Sequence, residues 1–391
     1  MPRHPLRATW LFLLALPAVA CREGRAPAAP PVAFLVAAGD STFLVESGQG
    51  AIGIRRSGLL LARLDGAFHE VYIADEDLSY QQALLVGQRV FRRDLQGGDS
   101  VQVRYDSTIV RHAMAWAARH PDDRPLAPDE ETSEEPQVQA TTDTELLDAV
   151  GPYLSYEFHL DEDIRGARDQ HVTRRGVVDL RDGRAVTLYD LLPPGDAARV
   201  TAAARERFAA AVDSVRHARD ERATRARSTL AGFAFDTTSF ELVVGEEGPA
   251  VSFLVPGRGP RAGGYSLPLG EIEIPPGAWW TSVAPTLPAT DARGTATWAD
   301  SSYDVIATVA TDGESAALAV RHGTRDWEVG TVPLPVRRVF RLALAPSDAQ
   351  RRAITRAFDD ADALGGATQP TAWIPWSPRP HAPARRSSPT S

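Results

Sequence analysis

Two hydrophobic periods alternate along this chain and divide it into strand-rich and helical segments. Between residues 33 and 105, apolar residues come in short runs broken by Gly and by charged pairs. Runs at 34–36, 41–45, 51–54, 59–64, 68–73, 86–91 and 101–105 predict seven strands. Asp65-Gly66 predicts a tight hairpin, because Gly accepts positive φ and Asp tolerates it. A short helix is expected over 109–118. From 153 to 160 the alternation is strict: Leu154, Tyr156, Phe158 and Leu160 share one face, and Tyr153, Ser155, Glu157 and His159 share the other. Residues 176–188 read as a hairpin about Asp182-Gly183, with Leu180 against Ala185 and Val178 against Thr187. The period then lengthens to that of a helix. Over 196–227, Val200, Ala204, Phe208, Ala211, Val212 and Val215 form one stripe, capped by Asp196, which should cover the sheet that begins at Tyr153.

Asp312-Gly313 then joins 303–311 to 314–320, in a register that sets Val305, Ala307 and Val309 beside Val320, Leu318 and Ala316. Strands at 327–332 and 336–344 precede a helix that Ser347 or Asp348 caps. Its stripe is Ile354, Ala357, Phe358 and Ala361, and Gly365-Gly366 stops it. The fold class is α+β: an antiparallel sheet backed by a helix in a middle module, preceded by a β-rich domain and followed by a small α+β unit. The expected boundaries are 33–120, 149–280 and 294–366. Between them, 121–148 reads as an acidic disordered linker, ten carboxylates against Arg124 alone, and 281–293 as a second linker; 367–391 is a Pro-, Arg- and Ser-rich tail.

Composition adds exclusions. The chain has no Lys and no Asn, so a Schiff-base or P-loop lysine and Asn-linked glycans are ruled out. A net charge of −9 argues against a nucleic-acid partner. Residues 1–20 form a leader: Arg3 and Arg7 precede an apolar run too short to span a bilayer, ending in small residues before Cys21. That arrangement is a lipobox, with Cys21 as the lipidation site and membrane attachment through lipid as the consequence. Cys21 is the only Cys, so the fold has no disulfide, and 21–32 is an Ala/Pro tether. Arg22 after the Cys points to the outer membrane, facing the periplasm.

Candidate chemistry is sparse. His159, Asp161, Glu162, Asp163 and His171 are the densest group of potential ligands or acid/base pairs, yet their setting reads as a solvated strand edge, so neither a metal nor a cofactor is expected. Tyr72, Tyr80 and Tyr105 read as half-buried strand aromatics, and Trp279-Trp280 as core or interface residues before a sugar platform. No H-E-x-x-H, G-x-S-x-G or deacetylase Thr-Phe-Asp-Asp block is present.

Arg165-Gly166-Ala167, a spacer, and then Gly-Val-Val-Asp-Leu-Arg-Asp-Gly-Arg-Ala-Val-Thr-Leu-Tyr-Asp-Leu-Leu before an amphipathic helix resemble the extracytoplasmic domain of RsiV-type anti-sigma factors, a domain that also accompanies polysaccharide deacetylases. Gly166, Ala167, Asp179, Gly183, Leu188, Asp190 and Leu191 match the pattern in order, whereas Arg165 stands for a Gly and Arg168 for a His. Residues 240–243, 250–255 and 270–275 resemble the family's closing strands, so the resemblance implies that they close that unit. The resemblance covers 149–276 and implies a sensor or binder of a muralytic protein or a cell-wall glycan. It makes Arg165, Gly166, Ala167, Arg168, His171 and Tyr265 candidate ligand-binding residues. The expectation is a non-catalytic envelope lipoprotein; the alternatives are an envelope polysaccharide hydrolase and a purely structural lipoprotein.

Overall fold

The computed structural model describes residues 32–280, 294–296 and 303–364, except 40, 49, 97, 99, 128–129, 134, 167–168, 218–232, 246–247, 258–265 and 343–347. In chain order the first half runs β1 (Ala33–Ala38), β2 (Ser41–Gly48), β3 (Ala51–Ser57), β4 (Leu60–Leu64), β5 (Ala67–Asp77), β6 (Ala83–Asp94), β7 (Val101–Tyr105), α1 (Thr108–Arg119), β8 (Val138–Val150), β9 (Tyr153–Ile164) and β10 (Gln170–Asp179). There follow α2 (Leu188–Leu191), α3 (Pro194–His217), β11 (Phe240–Val244), β12 (Pro249–Pro256), β13 (Ser266–Glu273), β14 (Gly294–Ala296), β15 (Asp304–Val309), β16 (Ser315–His322), β17 (Arg325–Pro333), β18 (Val336–Arg341) and α4 (Asp348–Leu364). The fold is α+β and mostly antiparallel, with no closed barrel.

Four sheets form: β18-β1-β2-β3; β10-β9-β8-β6-β5-β4, with β7 also on β6; β11-β12-β13; and β14-β15-β16-β17. Pairing is antiparallel except between β6 and β8. Two strands of this arrangement cross the expected boundaries. First, β18 pairs with β1, so the two ends of the described chain share a sheet. Alternation along β1 explains why: Phe34, Val36 and Ala38 pack against the sheet of β14–β17, while Ala33 and Leu35 pack against Ile354, Ala357 and Phe358 of α4. A strand buried on both faces needs a partner on each edge. Second, β8 lies within the span expected to be a disordered linker and joins β6 to β9. Averaged composition hid its period: Val138, Ala140, Thr142 and Thr144 are buried in alternation with polar residues that face out. The expected domains at 33–120 and 149–280 therefore share one seven-stranded sheet.

That sheet is a middle layer. Leu154 and Val178 pack on one face with Val90 and Val103. Tyr153 and Val177 pack on the other with β11–β13 and with Val200 and Ala204 of α3. Ser155, expected on a polar face, is fully buried, and its hydroxyl donates to Leu242 O at 3.1 Å and accepts from Leu242 N at 2.9 Å. Of the expected stripe only Val200 and Ala204 are buried, and α3 lies against β13, so β11–β13 and not the helix alone cover this face; α3 is described only to His217.

The turns differ in kind. Asp65 (φ 49) and Gly66 (φ 86) make the expected two-residue hairpin. The Asp312-Gly313 register is also as expected, Val305 facing Val320 and Ala307 facing Leu318. Around Asp182-Gly183 the pairing shifts: Val178 bridges Ala185, not Thr187, and Leu180 pairs back to Pro152 O instead of facing Ala185. Only Gly183 takes positive φ there, so the tight two-residue turn is replaced by a wider one that leads into α2.

Candidate functional site

The motif residues of 179–191 have local structural duties. Asp179, nearly fully buried, accepts from the backbone and side chain of Arg181; burial raises its pKa, but these bonds outweigh it and hold the carboxyl below its usual value. Gly183 sits at φ +76, and a Cβ there would stand 2.9 Å from Val103 O. Asp190 closes a capping box at α2 by accepting from Thr187 N at 2.8 Å and Thr187 Oγ1 at 2.7 Å. With Arg184 as its first partner, it titrates at about 2. Leu188 and Leu191 are buried in the core under α3. These residues build the fold locally.

A polar hollow that carries candidate chemistry lies on β8–β10. Glu157, His159 and Asp161 continue the face that holds Tyr153 and Ser155. Near Tyr153 that face is covered by β11 and β12. The cover ends where Arg175 joins Glu157, at 2.8 Å, to Glu241. Burial pushes the Glu241 carboxyl up, against the pull of Arg175. Beyond this bridge opens a groove of about 380 Å³ lined by Asp143, Glu157, His159, Asp161, His171, Val172, Thr173 and Ser266.

Cross-strand register assembles it. Asp143, His159 and Thr173 lie in one row, and Thr141, Asp161 and His171 in the next. His159 Nδ1 is 3.0 Å from Thr173 Oγ1, and its Nε2 is 3.5 Å from Glu157 Oε1. His171 Nδ1 is 2.5 Å from Asp161 Oδ1. Of the expected cluster, His159, Asp161 and His171 line the groove while Glu162 and Asp163 do not, and Asp143, which does, arrives on the strand read as linker. On the opposite face, His112 of α1 takes Glu162, at 3.0 Å.

Of the six candidate ligand residues, Arg165, Gly166 and His171 are described, and these three do not gather. Arg165 is exposed and meets Glu135, at 3.3 Å, at the far end of the β9–β10 hairpin. Gly166 makes the turn there at φ +84, with open space beside it. Only His171 reaches the groove. Ala167, Arg168, Tyr265, Cys21 and the leader lie outside the described residues. Among the described residues, no three His, Cys, Asp or Glu side chains converge as a metal-binding group, and no helix is long and apolar enough to cross a membrane. Trp279 packs edge-on to Tyr153, and Trp280 packs edge-on to Trp279, both against the central core. Tyr80 is buried under α1, while Tyr72 stacks on Phe91 and Tyr105 lies beneath Arg89.

No family model matches this chain, and no curated protein is similar to it. Solved structures similar to it include two of the DUF3298 family. One is a DUF3298 family protein from Pseudomonas aeruginosa PAO1, at 12% identity and a TM-score of 0.28, covering 49% of this chain and 83% of that one. The other is a DUF3298 family member from Bacteroides fragilis NCTC 9343, at 11% and 0.26, covering 52% and 91%. Neither likeness bears on what the chain does.

Proposed function

We propose that this chain is a lipid-anchored lipoprotein of the bacterial envelope, held through Cys21 at the outer membrane, that binds a partner through its RsiV-like middle module without catalysis. The observation that supports this reading is the groove on β8–β10. It is lined by Asp143, Glu157 and Asp161 together with His159 and His171, and Arg175 beside it is held between the Glu157 and Glu241 carboxylates. Among the described residues no Trp, Tyr or Phe lines it, and its carboxylates suit a cationic ligand. The chemistry therefore favours a protein with a basic surface, such as a muralytic enzyme, over a glycan. Calorimetric titration of the purified chain with a lysozyme and, separately, with peptidoglycan fragments tests this. Saturable binding of the enzyme that weakens with salt supports it. Absence of heat with both, together with an empty pull-down, refutes it.

One observation favours a hydrolase as the second reading: Thr173 Oγ1, His159 and Glu157 stand in a hydroxyl–imidazole–carboxylate row. Turnover of peptidoglycan fragments that is lost in Thr173→Ala and His159→Ala would replace the binding proposal with this one.

A further inference from the structure

We infer that the partner is taken as an added β-strand on the free edge of β10, with an Arg or Lys side chain reaching into the groove. The inference rests on the binding reading above and specifies its mode. β10 is the end strand of the seven-stranded sheet. Its odd-numbered residues turn their backbone polar groups away from β9. Arg175 N donates to Ser239 Oγ at 3.1 Å, Val177 O accepts from Val186 N at 2.8 Å, and Asp179 N donates to Arg184 O at 2.8 Å. Thr173 and His171 follow in the same phase. Among the described residues no hydrogen-bond partner meets their outward N–H and C=O groups. The satisfied part of the edge ends where the groove begins, and the side chains of these same two residues line it. An unpaired edge of this kind is a template for an extended segment.

Geometry selects the side chain. A strand added outside β10 stands one spacing from it and two from β9, roughly 9–10 Å from Asp161. A Ser or Asp cannot span that gap, whereas an extended guanidinium or ammonium side chain can. It would arrive between the Asp161 and Glu157 carboxylates, with Asp143 one strand farther in. Charge then sets specificity, and the backbone pairing sets register.

The test uses a short synthetic peptide of alternating Val and Arg, added to the ¹⁵N-labelled full chain and followed by NMR. Saturating shifts confined to the amides of His171, Thr173 and their groove neighbours are expected. Replacing Arg by citrulline, or N-methylating the edge-facing amides of the peptide, should each weaken binding about tenfold or more, the loss of one good hydrogen bond or ion pair. Asp161→Asn should do the same while leaving the rest of the spectrum unchanged. Equal binding of the N-methylated peptide overturns strand addition, and equal binding of the citrulline peptide overturns the basic side chain. If a lysozyme binds but leaves the His171 and Thr173 amides unshifted, this mode falls and the binding function stands. If neither probe binds, both fall.

Discussion

Replacing Asp148 by Ala should destabilise the protein by about 3–5 kcal/mol, the usual result of stranding a buried charge. Asp148 on β8 meets Arg338 on β18 at 2.7 Å, with Arg337 farther off at 3.6 Å, and the Asp148 and Arg338 side chains are only 6% and 3% exposed. At that separation and an effective dielectric of about 20, the attraction is about 6 kcal/mol, against a desolvation cost of several kcal/mol per ion. The pair is thus near break-even, but either member alone is not. Burial pulls the Arg338 guanidinium pKa down while Asp148 holds it up, and Arg338 Nε has no hydrogen-bond partner among the described residues. Removing Asp148 also strips the Ala149 N–H of its acceptor, at 2.8 Å. The assay is urea denaturation of Asp148→Ala, Arg338→Met and the double variant Asp148→Leu/Arg338→Met. Both single variants should lose several kcal/mol, and the double should recover most of it. Single variants within about 0.5 kcal/mol of the parent, or losses that simply add in the double, would refute the argument that two sheets are coupled through this pair.

Three further outcomes follow from the packing and capping. Gly183→Ala should lower the urea midpoint by the equivalent of about 2 kcal/mol, since it combines a left-handed backbone with a Cβ against Val103 O; an unchanged midpoint would deny the close approach. Phe358→Ala should cost about 3–5 kcal/mol, because Phe358 is fully buried between α4 and β1; a loss under about 1 kcal/mol would place α4 outside the core. Asp190 has a folded-state pKa of about 2, below its ordinary value, so its contribution is present above the ordinary carboxylate range and is lost as pH falls toward 2. Asp190→Ala should cost about 1 kcal/mol at neutral pH and converge with the parent at the acid end of a pH series of melts; a constant gap at every pH would contradict this.

Much of the secondary structure was legible because each strand carries its own period. The seven strands before residue 106, α1, the stripe of α3 and the register of β15 with β16 all follow from local spacing. What escaped was long-range or hidden by averaging. β8 carries ten-to-one charge composition around it, yet Val138, Ala140, Thr142 and Thr144 keep the alternation a strand requires. No local signal announces that Val36 will lie beside Val339. At the groove, His159, Asp161 and His171 were visible as a cluster, but the free backbone edge was not, since it depends on which segments fail to pair. The motif of 179–191 was read as the mark of a family resemblance, and in the fold its Asp179, Gly183, Leu188, Asp190 and Leu191 serve as turn, cap and core.

The pairing of β1 with β18 sets an order on how this polypeptide matures. β1 has apolar side chains on both faces, and one of its edges stays unmet until β18, at Val336–Arg341, has been made. A form lacking β18 would display a sticky ribbon, open to any passing strand. Arrival of β18 therefore works as a seal over β1.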